Sequence, residues 1–332
     1  MKSLLIWSLL FSLIFILSLD ISAQDVTGRI EGRIVDESGS AIPGAVINLS
    51  SPDLQGTRFT QTNAEGYFRL ILLPPGFYTA KITHIAYRPV TIDSIQVRLG
   101  KTSFVSETIL IEKPYELEEV IVNAKRNPID PNSTVTGGNF TKDEIESLPL
   151  QRNYQDIPLL VPQVNKSYLG DEINYSGSTG HENKFYIDGI DVTDPILNYR
   201  GIEIPYNFLR EIEVKTGGYE AEYRSSLGGV VNVITPSGGN KLSGQVFGFY
   251  TNNAFMGEPK TDTEVQLSSG DFTYYDFGFS LGGPFIKEKL WFNVAYNPKI
   301  DIEDILIPGI GYEPDKKISH IFAGKLSWKI SN

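Results

Sequence analysis

The chain has 332 residues, with 40 acidic and 29 basic side chains and a formal net charge of −11 at pH 7. This acidic balance argues against nucleic acid as a partner, because nucleic-acid-binding domains present basic patches. There is no cysteine, which excludes disulfides and thiolate ligands, and the three histidines, His84, His181 and His320, are too scattered to suggest a metal site. We therefore expect neither a metal ion nor another cofactor.

The first predicted element is a signal peptide over residues 1–23. Lys2 supplies the positive start, Leu4–Leu19 is an apolar run, and Ala23 places a small residue at the cleavage position. The alternative is a membrane anchor, but the run is shorter than the ~20 residues that a spanning helix needs. We expect export with cleavage before Gln24. Any later insertion into a membrane would require a β-barrel, because no further apolar stretch is long enough for a helix.

Short alternating strands separated by turn residues follow over residues 24–113. The pattern is clearest in three stretches, GRIVDESGSAIPGAVI, TQTNAEGYFRL and LPPGFYTAKITHIAY. Strands at this spacing, without a helical period, predict a β-sandwich. The same stretches resemble the carboxypeptidase regulatory-like domain, which has a transthyretin-like sandwich fold. This resemblance implies a structural or docking module, and the chain has neither the H-E-x-x-H nor the G-x-S-x-G pattern of a hydrolase.

Residues 114–127 form a predicted linker that contains one strand-like stretch, YELEEVIVNAKR. The β-branched run Val120–Val122 favours a strand, and a partner protein can take up such a strand by adding it to the edge of its own sheet. Eight residues of the linker resemble the TonB box of TonB-dependent outer-membrane transporters: Leu117, Glu118, Glu119, Val120, Ile121, Val122, Asn123 and Ala124, here called the TonB-box segment. Two interpretations stay open, a mobile TonB box and an edge strand of the sandwich, and a detachable edge strand would satisfy both.

Residues 128–238 are predicted to form a small mixed α/β domain. Thr141 and Glu144 have the spacing of a capping box at the start of a helix, and Val230–Ile234 forms an apolar strand. The stretches FYIDGIDVTD, LREIEVKTGGYEAEY and GGVVNVITPSGG resemble, in order and spacing, the plug domain of TonB-dependent receptors. The stretch GGYEAEYRSSLGGVVNVIT is most similar to the Oar-like receptors of Bacteroidota. The resemblance marks six residues as a plug motif: Asp188, Gly189, Gly217, Gly218, Gly228 and Gly229.

Three aspartates in this domain, Asp188, Asp191 and Asp194, could suggest a calcium loop. Their spacing is every third residue, whereas calcium loops place ligands at alternate positions and end in a distal glutamate. We therefore expect these aspartates to cap turns.

From residue 239 to residue 332 the pattern becomes that of strands with one apolar face. It is clearest in YYDFGFSLGG, KLWFNVAYN and FAGKLSWKI, and it is typical of a transmembrane β-barrel. We expect a long loop over Thr251–Gly270, a tight turn at GPFIKEK, and a second long loop over Asp301–Lys317. The fold class is thus mainly β: a transthyretin-like sandwich, a mixed α/β plug domain, and about four antiparallel strands of an incomplete barrel.

The resemblances imply the N-terminal part of a TonB-dependent outer-membrane receptor that takes up a substrate with energy from TonB. The expected partners are TonB, outer-membrane lipid and an unknown small or oligomeric substrate, and no enzyme activity is expected. The alternative is a secreted or surface-attached β-sandwich protein for adhesion or binding, without a pore.

Overall fold

The computed structural model describes residues 26–52, 54–112, 120–123, 133–150, 152–168, 172–223, 226–257 and 270–330. The predicted signal peptide lies outside these residues and stays a prediction. Strands dominate the described chain, and the predicted fold class is confirmed. No helix in the described chain has the length and apolar character needed to cross a membrane.

The N-terminal region is a sandwich of two sheets. Its strands are β1 (Gly28–Asp36), β2 (Val46–Ser50), β3 (Arg58–Gln61), β4 (Tyr67–Leu73), β5 (Gly76–His84), β6 (Tyr87–Val97), β7 (Thr102–Phe104), β8 (Thr108–Leu110) and β9 (Val120–Asn123). One sheet has the order β3-β2-β5-β6-β9, and the other has the order β4-β1-β7, with β8 also paired to β1. The apolar residues that alternate along these strands meet in one core, which includes Ile30, Ile47, Phe68, Ile82 and Ile92. We call this region the sandwich.

The central region, here called the plug-like domain, contains one five-stranded sheet of order β10-β15-β16-β13-β14. Its elements are β10 (Thr136–Thr141), α1 (Lys142–Glu146), β11 (Val164–Lys166), β12 (Ile173–Tyr175), β13 (Lys184–Ile187), β14 (Ile190–Asp191), β15 (Glu211–Gly217) and β16 (Val230–Ile234). Short 3₁₀ helices cover Tyr154–Leu160, Gly180–Glu182 and Tyr206–Phe208. The predicted capping box is confirmed, because Thr141 and Glu144 each accept a hydrogen bond from the other's backbone N–H.

The C-terminal region is an antiparallel sheet of four long strands, here called the barrel sheet. The strands are β17 (Ser243–Asn252), β18 (Phe272–Ile286), β19 (Leu290–Ile307) and β20 (Gly311–Trp328), and they pair in chain order. A 3₁₀ helix, Asn253–Phe255, follows β17.

The expected long loop over Asp301–Lys317 is wrong. Strands β19 and β20 pair without interruption from Leu290 opposite Trp328 to Ile307 opposite Gly311, so only a tight turn separates them. The polar composition suggested a loop, but Asp301 lies directly opposite Lys317, and such cross-strand charge pairs stabilise a sheet.

The barrel sheet has two different faces. On one face the aromatic and aliphatic side chains are exposed, among them Val246, Phe277, Phe279, Phe322 and Leu326. The other face lies against the plug-like domain and buries Asp276, Trp291, Ala295 and Asn297. The predicted alternation of apolar and polar or small residues along these strands is therefore confirmed.

Candidate functional site

The TonB-box segment is described only at Val120–Asn123, which form β9. This strand pairs in parallel with Val90–Asp93 of β6 and is the last strand of its sheet. Residues 117–119 and 124 of the segment lie outside the described residues. The structure thus shows the central part of the segment as an edge strand of the sandwich.

Asp188 and Gly189 of the plug motif form the turn between β13 and β14. Both have positive φ angles, 50° and 81°, and this favours glycine and tolerates aspartate. The Asp188 carboxylate accepts hydrogen bonds from the backbone N–H of Thr235 at 3.0 Å, from the Thr235 hydroxyl, and from the Lys325 ammonium of β20 at 3.0 Å. One turn residue therefore connects the plug-like domain to the barrel sheet.

The other two aspartates of that stretch cap backbone groups. Asp191 accepts a hydrogen bond from the Thr193 N–H, and Asp194 accepts hydrogen bonds from the N–H groups of Ile196 and Leu197. Within the described chain, no group of three or more potential metal ligands comes together.

Three of the four remaining motif glycines lie where a side chain would collide with a neighbour. Gly218 has a φ of 65°, and a Cβ atom there would lie 2.3 Å from the carbonyl oxygen of residue 134. A Cβ at Gly228 would lie 2.2 Å from Oδ1 of Asn183, and one at Gly229 would lie 2.2 Å from the Tyr175 ring. Gly217 is less confined, because its nearest neighbour would be 3.1 Å away. The two pairs of glycines thus differ. Gly218 is needed because its backbone has a positive φ angle, whereas Gly228 and Gly229 allow neighbouring side chains to pack closely.

Arg152 is the central contact between the plug-like domain and the barrel sheet. Its guanidinium forms a salt bridge with Asp276 of β18, and the two side chains are only 19% and 9% exposed. The same guanidinium lies 3.7 Å from the ring centroid of Phe249, a cation–π contact. Asn297 of β19 donates a hydrogen bond of 2.7 Å to Asp276. This contact was missed in the sequence because its partners are far apart along the chain.

Further contacts extend along the same interface. The Lys142 ammonium donates to the side-chain carbonyl of Gln245 in β17. The Phe208 ring packs against Phe247 of β17 with their centroids 6.4 Å apart. The plug-like domain is therefore held to the barrel sheet by both charged and apolar contacts.

A second interface joins the sandwich to the plug-like domain, and we call it the sandwich–plug joint: residues 98–101 with Ser133, Asn139, Glu144, Glu211 and Glu213. The Arg98 guanidinium donates to the Asn139 carbonyl at 2.8 Å and to Glu144 at 2.7 Å. The Leu99 N–H donates to Glu211 at 3.2 Å, and the Asn139 side-chain amide donates to the Leu99 carbonyl at 3.1 Å.

The joint also brings a turn close to a buried carboxylate. Gly100, with a φ of 64°, packs against Glu213, so that a Cβ atom there would lie 3.1 Å from the Glu213 carboxylate. The Lys101 ammonium donates to the Ser133 hydroxyl at 3.1 Å. These contacts attach the turn after β6 to β15 and to the residues just before β10.

The carboxylates of the joint have shifted pKa values. Burial raises the pKa of Glu211 to about 7, although hydrogen bonds from Asn139 and Leu99 oppose the shift. Burial likewise raises the pKa of Glu213 to about 7, opposed chiefly by the charge of Lys215. The pKa of Glu144 is lowered, because hydrogen bonds from Arg98 and the Thr141 backbone outweigh the opposing effect of burial.

Sequence reasoning missed the burial of this face of β15. Glu211, Glu213 and Lys215 alternate with Ile212 and Val214, a pattern that normally marks a solvated face, yet all five side chains are buried. Lys215 lies 3.6 Å from Glu213 and 2.9 Å from Glu220, so its charge is paired. The packing of residues 98–101 against Glu211 and Glu213, which the spacing along the strand does not reveal, helps to bury this charged face.

Two family models match separate parts of the chain. The carboxypeptidase regulatory-like domain matches residues 29–109, and the outer membrane beta barrel domain matches residues 234–300.

Two curated relatives match over much more of the chain. It is 31% identical over 286 residues to the TonB-dependent transporter Oar of Myxococcus xanthus, an alignment that covers 82% of this chain and 27% of that protein. It is 25% identical over 256 residues to the probable TonB-dependent siderophore receptor PirA of Acinetobacter baumannii, covering 67% of this chain and 31% of that protein. The chain thus spans between about a quarter and a third of the length of these relatives.

Among solved structures, the siderophore receptor PirA from Pseudomonas aeruginosa aligns over 62% of this chain and 33% of that chain. The sequence identity is 24% and the TM-score is 0.43.

Proposed function

The chain is a relative of the TonB-dependent outer-membrane receptors, and on that premise we propose that it forms the TonB-coupled plug and first wall strands of a receptor for energy-driven uptake. Its location is the outer membrane. The sandwich and the TonB-box segment then lie on the periplasmic side, and the plug-like domain lies inside the barrel. The proposal involves no chemical step on the substrate.

The observation that carries this proposal is the two-faced barrel sheet with a folded domain on its buried face. Exposed apolar side chains on the outer face, such as Val246 at 85% and Phe322 at 77%, suit outer-membrane lipid as a partner. The inner face instead presents polar groups such as Asp276 and Asn297, which bind the plug-like domain through Arg152. A secreted adhesion protein without a pore would not need this division, and the match to the outer membrane beta barrel domain also disfavours it.

In the proposed mechanism the plug-like domain closes the barrel until TonB acts on it. The substrate, a small or oligomeric molecule, binds from outside. TonB pairs with the TonB-box segment by β-augmentation, in which main-chain hydrogen bonds give the affinity. Because the segment directly precedes the plug-like domain, a pull on it reaches Arg152 and Asp276 through the fold of that domain. Opening requires that this salt bridge between domain and wall be broken.

The test of the proposal is binding of the purified TonB C-terminal domain to the full chain in detergent micelles. Val120→Pro removes a backbone N–H and disfavours pairing, whereas the matched control Val120→Thr keeps both the N–H and the β-branched shape. We expect the proline variant to lose at least tenfold in affinity and the threonine variant to bind like the unmodified chain. Binding unaffected by the proline would remove β-augmentation at this segment from the mechanism.

A further inference from the structure

One edge of strand β6 is paired with another strand along its whole length, whereas the other edge is paired only in part. It pairs with β5 from Tyr87 to Val97, whereas on its other side β9 occupies Val90–Asp93. Within the described residues, no strand pairs with the outer side of β9. The sheet therefore ends in a short parallel ladder that the connecting segment supplies.

Strand β9 lies outside the part of the sandwich that the family model matches. The match to the carboxypeptidase regulatory-like domain ends at residue 109, before β9 begins. Because β9 runs parallel to β6, no hairpin joins the two strands, and β9 enters the sheet from the connection that follows β8. The pairing is thus a property of this connection, and the same residues form the centre of the TonB-box segment.

The connection is fixed at both of its ends. At its start, Glu112 forms a bridge with Tyr87, and the Arg88 N–H donates to the Ile111 carbonyl at 2.9 Å. At its end, Ser133 accepts the hydrogen bond from Lys101 in the sandwich–plug joint. The first attachment lies at the start of β6 and the second lies just beyond its end, and β9 pairs with β6 between them.

The ladder between β9 and β6 is shorter than the first ladder of the plug-like domain, which a pull on β9 would also load. It contains four residue pairs, whereas β10 and β15 of the plug-like domain share six. The sandwich–plug joint adds the salt bridge of Arg98 with Glu144 and the buried hydrogen bonds of Glu211. We therefore expect a pull on β9 to separate it from β6 before it disturbs the joint or the plug sheet.

We propose that the edge of β6 stores the TonB-box segment, and that TonB must take β9 away from β6 before force reaches the plug-like domain. The inference rests on the proposed function, in which TonB pairs with this segment. The sandwich then acts as an internal competitor for the same backbone groups. Since TonB captures only the detached form, its apparent dissociation constant equals the intrinsic one divided by the detached fraction.

The test locks β9 in place with an engineered disulfide. Asp93 and Asn123 are directly paired in the ladder, and neighbouring strands lie about 4.7–4.9 Å apart, which is within the range that a disulfide spans. The natural sequence has no cysteine, so the double variant Asp93→Cys/Asn123→Cys contains only the intended pair. The matched control, Arg29→Cys/Thr102→Cys, locks the parallel pair of β1 and β7 inside the sandwich, away from β9.

Binding of the TonB C-terminal domain to each variant of the 332-residue chain is measured before and after reduction. We expect the oxidised Asp93–Asn123 variant to bind at least tenfold more weakly than its reduced form, while the control pair binds equally in both forms. Equal binding by the oxidised and reduced forms would overturn storage and show that TonB adds to the outer side of a docked β9. Failure of the cysteines to crosslink in the oxidised sample would also overturn it.

The proposed function fails in a different way. If the reduced variant and the unmodified chain both show no binding, then TonB does not use this segment at all. If both bind and only the oxidised form differs, the proposed function and the storage of β9 both stand.

Discussion

Replacing Glu211 by glutamine tests whether the sandwich–plug joint contains a carboxylate that folding keeps protonated. Glutamine keeps the side-chain oxygen that accepts from Leu99 and Asn139, but it cannot ionise. Burial raises the pKa of Glu211 from 4.5 to about 7. Because the folded-state pKa lies above the unfolded one, this group's contribution to stability is full below pH 4.5 and is lost as the pH rises to 7.

The size of the effect follows from the two pKa values. A difference of 2.5 between 4.5 and 7, at 1.36 kcal/mol for each unit, corresponds to about 3 kcal/mol for Glu211. We expect Glu211→Gln to match the unmodified chain at pH 4 and to be more stable than it by up to that amount at pH 8. Glu213 titrates over the same range and remains in both proteins. Because the charge on Glu211 helps to raise the pKa of Glu213, the substitution also removes that part of the Glu213 shift.

The assay is native-state hydrogen exchange of peptides that cover residues 98–101 and Glu211–Gly217, with intrinsic rates corrected at each pH. The control is Glu144→Gln at the same joint. The pKa of Glu144 is lowered, so its contribution is lost on acidification instead, and its partial exposure limits the loss at pH 8 to less than about 1 kcal/mol. The reasoning is refuted if Glu211→Gln leaves the pH dependence unchanged or destabilises the joint at pH 8.

Two further substitutions address the plug-like domain, both measured by urea unfolding in detergent micelles. Arg152→Met leaves Asp276 buried without its cation and should cost roughly 3–5 kcal/mol, whereas a loss below about 1 kcal/mol would show that the salt bridge does not hold the domain. Gly229→Ala forces a methyl group against Tyr175 and should cost roughly 1–3 kcal/mol. Gly324→Ala, which has open space around it, is the control and should change little; equal losses at the two glycines would contradict the packing argument.

Local patterns in the sequence predicted the elements that local physics decides. The apolar run Val230–Ile234 is a strand, Thr141 and Glu144 form the expected capping box, and the barrel strands alternate as predicted. The extended hairpin of β19 and β20 could not be read in the same way, because its ladder depends on which residues face each other across the two strands.

The buried interfaces could not be predicted from the sequence for a related reason. Glu211 and Glu213 have the spacing of a solvated face, but the turn at Leu99–Gly100 packs against them and Asn139 hydrogen-bonds Glu211. The salt bridge of Arg152 with Asp276 joins the plug-like domain to the barrel sheet, and the sequence pattern of either region gives no indication of its partner in the other. Contacts between distant segments depend on how the segments dock, and periodicity carries no information about docking.

The position of β10 sets the direction in which the central sheet would come apart under tension. This strand is the first of its sheet along the chain and lies at one edge of it, where β15 is its only partner among the described strands, and its ladder is already irregular at Thr136 and Gly137. A load applied from the N-terminal side meets that irregular rung first, and a load directed away from β15 then opens the following rungs one after another, as in unzipping. Sequential opening needs less force than shearing all rungs at once, so the margin of the sheet could be peeled away while β13 and β16 stay paired.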